Sequence, residues 1–397
     1  MAIAGTEDSV RGEPGSGTPE RRRALIAASL AHSLHDGYTD QLYALLPVWQ
    51  AQFGLTYAGL AALRALYYGT MSGLQIPASR VLRPLSGRAA LVASTIVAAS
   101  GFLLMSLPLG FAGLCGGLVL AGAGSSVQHP RASLLVTNAY EGAERGPLGI
   151  YNFAGDLGKA TLPAMVAVLL SILMWRSVLA LTALLGFAVG LGLLGMIPNR
   201  PPRHRPDPAR SAPAKNRSGF GLLMAIGALD TAARMGFLLF LPFLIGTRGG
   251  TTAEVGLGLA LVFMGGALGK ATCGWLGEHV GVVVSVIVTE VMTAGLIAAS
   301  LTLALAPMLA LLPLLGIVLN GTSSVLYGTV PELAPKGDPG RAFAFFYTCT
   351  SGSSGLAPIA YGAIADHSSR SIGVLAAAGT AALVVPLVLV LRASWSR

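Results

Sequence analysis

The sequence predicts an all-α membrane protein of twelve transmembrane helices in two pseudo-symmetric six-helix bundles, and three observations carry that prediction. The 397 residues are 53% hydrophobic and 11% charged, where a soluble domain carries about 25% charged residues, and the mean hydropathy is +0.69. The charges bunch between apolar runs of roughly 20 residues, each about long enough to cross a bilayer. The chain also repeats itself once at a constant offset. Alternating segments of about ten residues, the mark of a membrane β-barrel, do not recur.

Taken in order, residues 1–20 are rich in Gly, Glu, Pro and Ser and predict a disordered tail. "RRRALIAASLAHSL" mimics a signal peptide. Its apolar stretch meets His32, His35 and Asp36 with no small-residue cleavage site, so it is read as a retained first helix. The first bundle, 21–197, then has spans near 23–50, 56–79, 89–108, 112–137, 147–173 and 177–197. A Pro-rich basic linker over 198–218 divides the chain. The second bundle, 219–397, has spans near 219–245, 253–276, 281–303, 308–330, 342–365 and 371–391. With both termini and the linker on one side, that side holds 18 of the 26 Lys and Arg residues, five lie inside spans, and Arg176, Arg248 and Arg370 fall opposite. The positive-inside rule makes this side cytoplasmic, giving a multi-pass protein of the inner (plasma) membrane. The net charge of +9 is read as orientation in the lipid bilayer, with no nucleic-acid partner.

The repeat is clearest where "TYAGLAALRALYYGTMSG" (56–73) aligns with "TAEVGLGLALVFMGGALG" (252–269) at an offset of 196. Gly69 and Gly73 match Gly265 and Gly269, a small-xxx-small pattern that predicts close helix approach in both halves. Two similar bundles around a central cavity is a plan of many secondary transporters.

Charges inside the spans mark candidate sites, because an ionised group at mid-bilayer is costly and usually functional. At about 1.5 Å per residue, Asp36 lies roughly 20 Å from the cytoplasmic edge and Arg64 roughly 18 Å. On the same rise, Asp156 and Lys159 lie at roughly 13 and 18 Å, and Asp230 and Arg234 at roughly 16 and 22 Å. Three acids and three bases thus share one layer. Asp156 with Lys159 (i, i+3) and Asp230 with Arg234 (i, i+4) are spaced to pair on one helix face, as structural pairs or as parts of a cavity. His32 and His35 share a face with Asp36 or Thr39, and histidine titrates near neutral pH. That suits proton handling; neutral packing is the other reading. Asp40, nearer the outer end, reads as a solvated or capping acid, and Lys270 as a snorkelling residue near the inner edge.

Enzymatic signals are weak. "GAGSS" and "SGSSG" lie within spans, without the strand-to-helix context of a phosphate loop. Cys115, Cys273 and Cys349 are far apart and read as packing residues, so neither metal nor cofactor is expected. No ATP-binding motif occurs, and pumping must draw on an ion gradient.

"GWLGEHVG" (274–281), and "SRVLRPLSGR" (79–88), which keeps Arg83, Gly87 and Arg88 but lacks the acid, are similar to a loop motif found after helices 8 and 2 of one transporter family. On these residues the sequence resembles a major facilitator superfamily transporter. "LAHSLHDGYTDQLYALLPVW", "GAGSSVQHP" and "PELAPKGDPGRAFAFFYTCTSGSSGLAPIAYGAIADHSS" resemble the branch typified by the fosmidomycin-resistance efflux protein. The resemblance implies that helices 1, 4, 7 and 10 line a cavity with 2, 5, 8 and 11 beside them. It leaves Glu290 on a peripheral helix outside the site. It also implies a helix-breaking or gating role for His129 and Arg131 around the His-Pro pair, with plain structure as the alternative.

The expectation is therefore proton-coupled efflux of a small anionic or zwitterionic molecule by a monomer, not catalysis. Asp36, helped by His32 or His35, is the proton site. Arg64, Lys159 and Arg234, with Asp156 and Asp230, form the substrate site. The alternatives are a proton-coupled importer or facilitator of an organic anion, or a non-transporting membrane receptor.

Overall fold

The computed structural model describes residues 19–82, 84–140, 143–197, 219–334 and 339–395. The linker and nearly all of the expected tail lie outside them. The first half contains α1 (Pro19–Asp40), α2 (Leu42–Phe53), α3 (Tyr57–Val81), α4 (Gly87–Ser106), α5 (Gly110–Ser125), α6 (Gln128–Ala139), α7 (Arg145–Leu170) and α8 (Trp175–Met196). The second contains α9 (Phe220–Gly246), α10 (Thr252–Val280), α11 (Val282–Ser300), α12 (Leu305–Thr329), α13 (Pro339–His367) and α14 (Arg370–Trp395). Nine spans among the described residues are long and apolar enough to cross a membrane by length and composition alone. The α1–α2 pair, α3 and α13 complete the twelve.

Fourteen helices make twelve spans because the first and fourth expected spans are each broken in two, and each break sits by a proline. Proline lacks an N–H and crowds the carbonyl four residues earlier. Pro130 crowds Ser126, and α5 ends at Ser125 with α6 starting at Gln128. Pro47 crowds Tyr43, and the chain tightens there, with Ala44 N donating to Gln41 O at 3.0 Å.

The duplication shows in the turns on the side opposite the termini, called here the far side. Gly54 (φ 63°) precedes the Thr56 cap of α3, and Gly249 (φ 77°) precedes the Thr251 cap of α10. The second pair is one residue out of the 196 register, and there Thr251 forms a capping box with Glu254, the spacing at which both side chains satisfy free helix N–H groups. The glycine repeat is kept in one half only. A Cβ on Gly265 or Gly269 would lie 2.1–2.2 Å from carbonyl oxygens of α12, whereas Gly69 and Gly73 meet nothing within 4 Å. The expected close approach therefore occurs between α10 and α12, and α3 at those positions borders open space.

The two bundles meet through α3 with α13 and α7 with α10. On the far side, the Asp366 carboxylate accepts from Tyr57 N (2.8 Å) and Ala58 N (2.9 Å), caps α3 from the other bundle, and sits where the helix dipole favours negative charge. Tyr57 packs edge-on against Phe240 and Phe243. Going from there toward the side of the termini, α3 and α13 diverge. A Cβ on Gly362 would sit 2.6 Å from Ala58 N, one on Gly355 would meet only Ala65 Cβ at 4.0 Å, and one on Gly352 would meet nothing within 4 Å. Along this pair of helices the bundles are closed on the far side and part toward the termini.

Candidate functional site

The site begins with a close helix crossing. α7 lies so near α1 that a Cβ on Gly158 would stand 2.0 Å from Ser33 O, and one on Gly155 2.7 Å from the His32 ring and 2.8 Å from Asp36 Oδ2. Glycine at these positions lets α7 bring Lys159 onto α1. Asp36, 6% exposed, is held by three partners: Lys159 Nζ at 3.3 Å and His32 Nε2 at 3.2 Å, both on Oδ2, and His129 Nε2 at 3.4 Å on Oδ1. Asp156 pairs with Lys270 of the opposite bundle. The pairing of Asp156 with Lys159 on their own helix face is thus corrected: the two charges on α7 serve different partners. Lys270, expected to snorkel, instead bridges the bundles. Asp36 and Asp156 are enclosed, while the Lys159, His129 and Lys270 side chains remain 30–40% exposed.

Hydrogen-bond chemistry fixes which nitrogen of His32 faces the acid. His32 Nδ1 lies 2.9 Å from Tyr151 O, and a carbonyl only accepts, so Nδ1 carries a hydrogen. Nε2 then faces the Asp36 carboxyl at 3.2 Å, where a proton taken up by the acid would be shared between the two. The His32 ring also stacks on Tyr151 at 4.1 Å and meets His129 edge-on at 4.9 Å. His35 points elsewhere. Its nitrogens meet Ser125 Oγ (3.0 Å) and Thr95 Oγ1 (3.2 Å), and Ser125 continues to the Tyr67 hydroxyl (2.7 Å). His35 ties α1 to α4 and α5 and is not a contact of the Asp36 carboxylate.

The residues around the His-Pro pair separate. His129 belongs to the Asp36 cluster rather than to a cytoplasmic mouth. Arg131 donates to Leu82 O at 2.7 Å, pinning the residue after α3 to α6. His32, Asp36 and His129 also present ligand atoms within 4.8 Å of one another, a donor set that suits a transition metal. The Lys159 ammonium on the same carboxylate opposes a second cation there, and the set fits poorly.

Arg64 is 2% exposed. Its guanidinium lies 3.7 Å from the Tyr43 ring centroid and 5.1 Å from that of Tyr68, and Nε and Nη2 have no hydrogen-bond partner. A buried cation with free donors, held between aromatic faces, has the chemistry to receive an anion. Asp40 is 4% exposed, not the solvated or capping acid expected, and is within electrostatic reach of Lys159, Arg64, Asp36 and Arg234. Arg234 donates to Asn320 Oδ1 and Thr231 Oγ1, both at 3.5 Å. No ion pair joins it to Asp230, which corrects the second same-face pairing. Asp230 instead faces Glu290. The sequence reading left Glu290 out, although by helical rise it lies about 12 Å into its span; the same depth argument that found Asp36 would have found it.

Two duplicated bundles, closed at one end and bearing interlocked charges at mid-depth, define a secondary transporter of small molecules that works by alternating access. The Major Facilitator Superfamily model matches residues 28–228, just over half of the chain, and the chain belongs to that superfamily. A curated relative, the fosmidomycin resistance protein of Escherichia coli (strain K12), is 27% identical over 173 residues. That match spans 43% of each protein, less than half the length of the relative. Among solved structures, a bacterial homologue of the human lysosomal transporter Spinster, inward-facing and unoccupied, superposes with TM-score 0.79 at 15% identity over 96% of this chain and 98% of that one. The nucleoside transporter NupG gives 0.77 at 12% identity over 94% and 99%. A POT family transporter in complex with 5-aminolevulinic acid gives 0.75 at 13% over 93% and 96%.

Proposed function

We propose that the protein couples transport of a small organic anion or zwitterion to protons, with Asp36 as the coupling acid and Lys159 and Arg64 as anchors. The observation that carries this reading is the shared partner: Lys159 Nζ stands 3.3 Å from the same Asp36 oxygen that faces His32. An anionic group that draws Lys159 away leaves Asp36 buried without its cation. A carboxylate in that position takes up a proton, because an unpaired buried charge costs roughly several kcal/mol. Substrate and proton then bind together, as a symporter requires. In an exchanger they would compete. Uptake is therefore the favoured direction. The second reading, proton-driven efflux, rests on the partial likeness to the fosmidomycin resistance protein.

The POT neighbour's zwitterionic ligand supplies a first class to screen by thermal shift on purified protein. Proteoliposomes given an inward proton gradient should accumulate a hit from that screen, and Asp36→Asn should bind it without accumulating it. Uphill accumulation by Asp36→Asn would remove Asp36 from the mechanism. Counterflow without a gradient separates a transporter from a receptor that binds without moving its ligand. We further propose that the side of the termini is cytoplasmic, which makes the present state inward-open, and that the unit of transport is the monomer.

A further inference from the structure

We propose that Asp230 and Glu290 form a second proton-binding site, in the second bundle and independent of Asp36. Asp230 of α9 is 4% exposed and Glu290 of α11 is 1% exposed. Their carboxyl groups lie within hydrogen-bonding reach of each other. Both Glu290 oxygens are enclosed and neither receives a hydrogen bond. The hydroxyl within reach of Glu290, that of Thr322, already directs its hydrogen to Thr289 Oγ1 at 2.8 Å. One turn along α11, Thr293 is 2% exposed and its hydroxyl is also without a partner.

The charged surroundings leave one vacancy. Arg234 is the cation within reach of the pair. α12 contributes Asn320, Thr322 and Tyr327, none of them charged. Lys270 of α10 is engaged with Asp156. On α13, Asp366 caps α3 at the far side, and on α14 Arg370 donates to Thr247 while Arg392 stands in the last turn of the helix. Two carboxylates against one guanidinium leave one negative charge uncompensated, and like charges in one dry site do not both ionise. A single proton removes the surplus and supplies the missing hydrogen bond, with the Glu290 hydroxyl donating to Asp230. A metal cation would need several converging oxygens, and two of those at hand, Thr289 and Thr322, are turned to each other. Release of that proton leaves Glu290 charged beside the Asp230 carboxylate, with Arg234, whose present contacts are 3.5 Å long, as the cation that can turn to the pair, so the site has a defined partner exchange of its own.

Infrared difference spectra of the full chain in lipid nanodiscs, in sodium-free and sodium-containing buffer, test this without a substrate. A protonated-carboxyl band that shifts down in D2O is expected in both buffers. Glu290→Gln should abolish it, while Asp230→Asn should move it without loss, since the acceptor changes but the acid remains. The same band in Glu290→Gln, or a wild-type band that appears only when sodium is removed, overturns the proposal. Should Glu290→Gln fail to fold, Asp230→Asn decides alone, and an unmoved band overturns it. Because Asp36 is intact in each variant, the result stands apart from the coupling role proposed for Asp36.

Discussion

Lys159 has three acids within electrostatic reach, Asp36, Asp40 and Asp156, and the one it pairs with determines what its removal does. With Lys159 on Asp36 and Asp156 held by Lys270, Lys159→Ala should leave Asp36 without its cation and Asp156 undisturbed. Anion affinity should fall more than tenfold, in the range of about 2–5 kcal/mol for a lost buried charge contact. Isothermal titration of the anion against the variant checks this, and unchanged affinity would take Lys159 out of the binding site. The depth of Asp36, Arg64 and Lys159 was legible in the sequence, because a charge in an apolar run announces itself. Their partners were not. Spacing along one helix offers only neighbours on that helix, and the true partner of Asp156 is Lys270, 114 residues away. Glu290 was equally legible by depth but was set aside on the resemblance, which labelled its helix peripheral.

Among the elements, the glycine pairs give the sharpest contrast. Gly269→Leu should destabilise the second bundle by at least about 1–3 kcal/mol, the cost of overpacking a tight contact, because even its Cβ would overlap Ile317 O. Gly73→Ala should leave melting temperature unchanged or slightly raised, since nothing lies within 4 Å and alanine favours the helix. Equal destabilisation of both would contradict the asymmetry. Alignment alone read the two halves as equivalent here; it cannot report which repeat has kept its neighbour. The break at His129-Pro130 is one of the readings that the resemblance implied, beside plain structure, and proline acts on its own helix. The break at Gln41 was not foreseen, although Pro47 lay in view. The far-side arginines also have element-level tasks: Arg248 donates to the carbonyls of Leu244, Ser300 and Leu303, satisfying groups that helix ends leave free.

For the molecule as a whole, twelve spans in two halves followed from hydropathy and duplication, since lipid demands helices whatever their packing. The state of closure did not, because it depends on contacts between bundles. Asp366→Ala removes two charge-assisted hydrogen bonds across the far side, worth about 1.5–3 kcal/mol each. Spin-label distances between the far ends of α3 and α13 should lengthen in this variant and shift the population toward far-side opening. An unchanged distribution would show that apolar packing around Tyr57, Phe240 and Phe243 suffices. A cysteine placed in the 198–218 linker should resist an impermeant reagent in intact cells, and ready labelling would invert the proposed orientation.

The coupling itself is tested most directly by counting protons as substrate binds to purified protein in weakly buffered solution with an indicator dye. Saturating anion should draw about one additional proton onto the wild-type protein relative to Asp36→Asn, since the carboxyl that loses Lys159 must be neutralised. The affinity of the wild-type protein should correspondingly rise as pH falls, while that of Asp36→Asn loses this dependence. Binding with no proton uptake, or with the same uptake in both proteins, would contradict the exchange of Lys159 between Asp36 and the substrate.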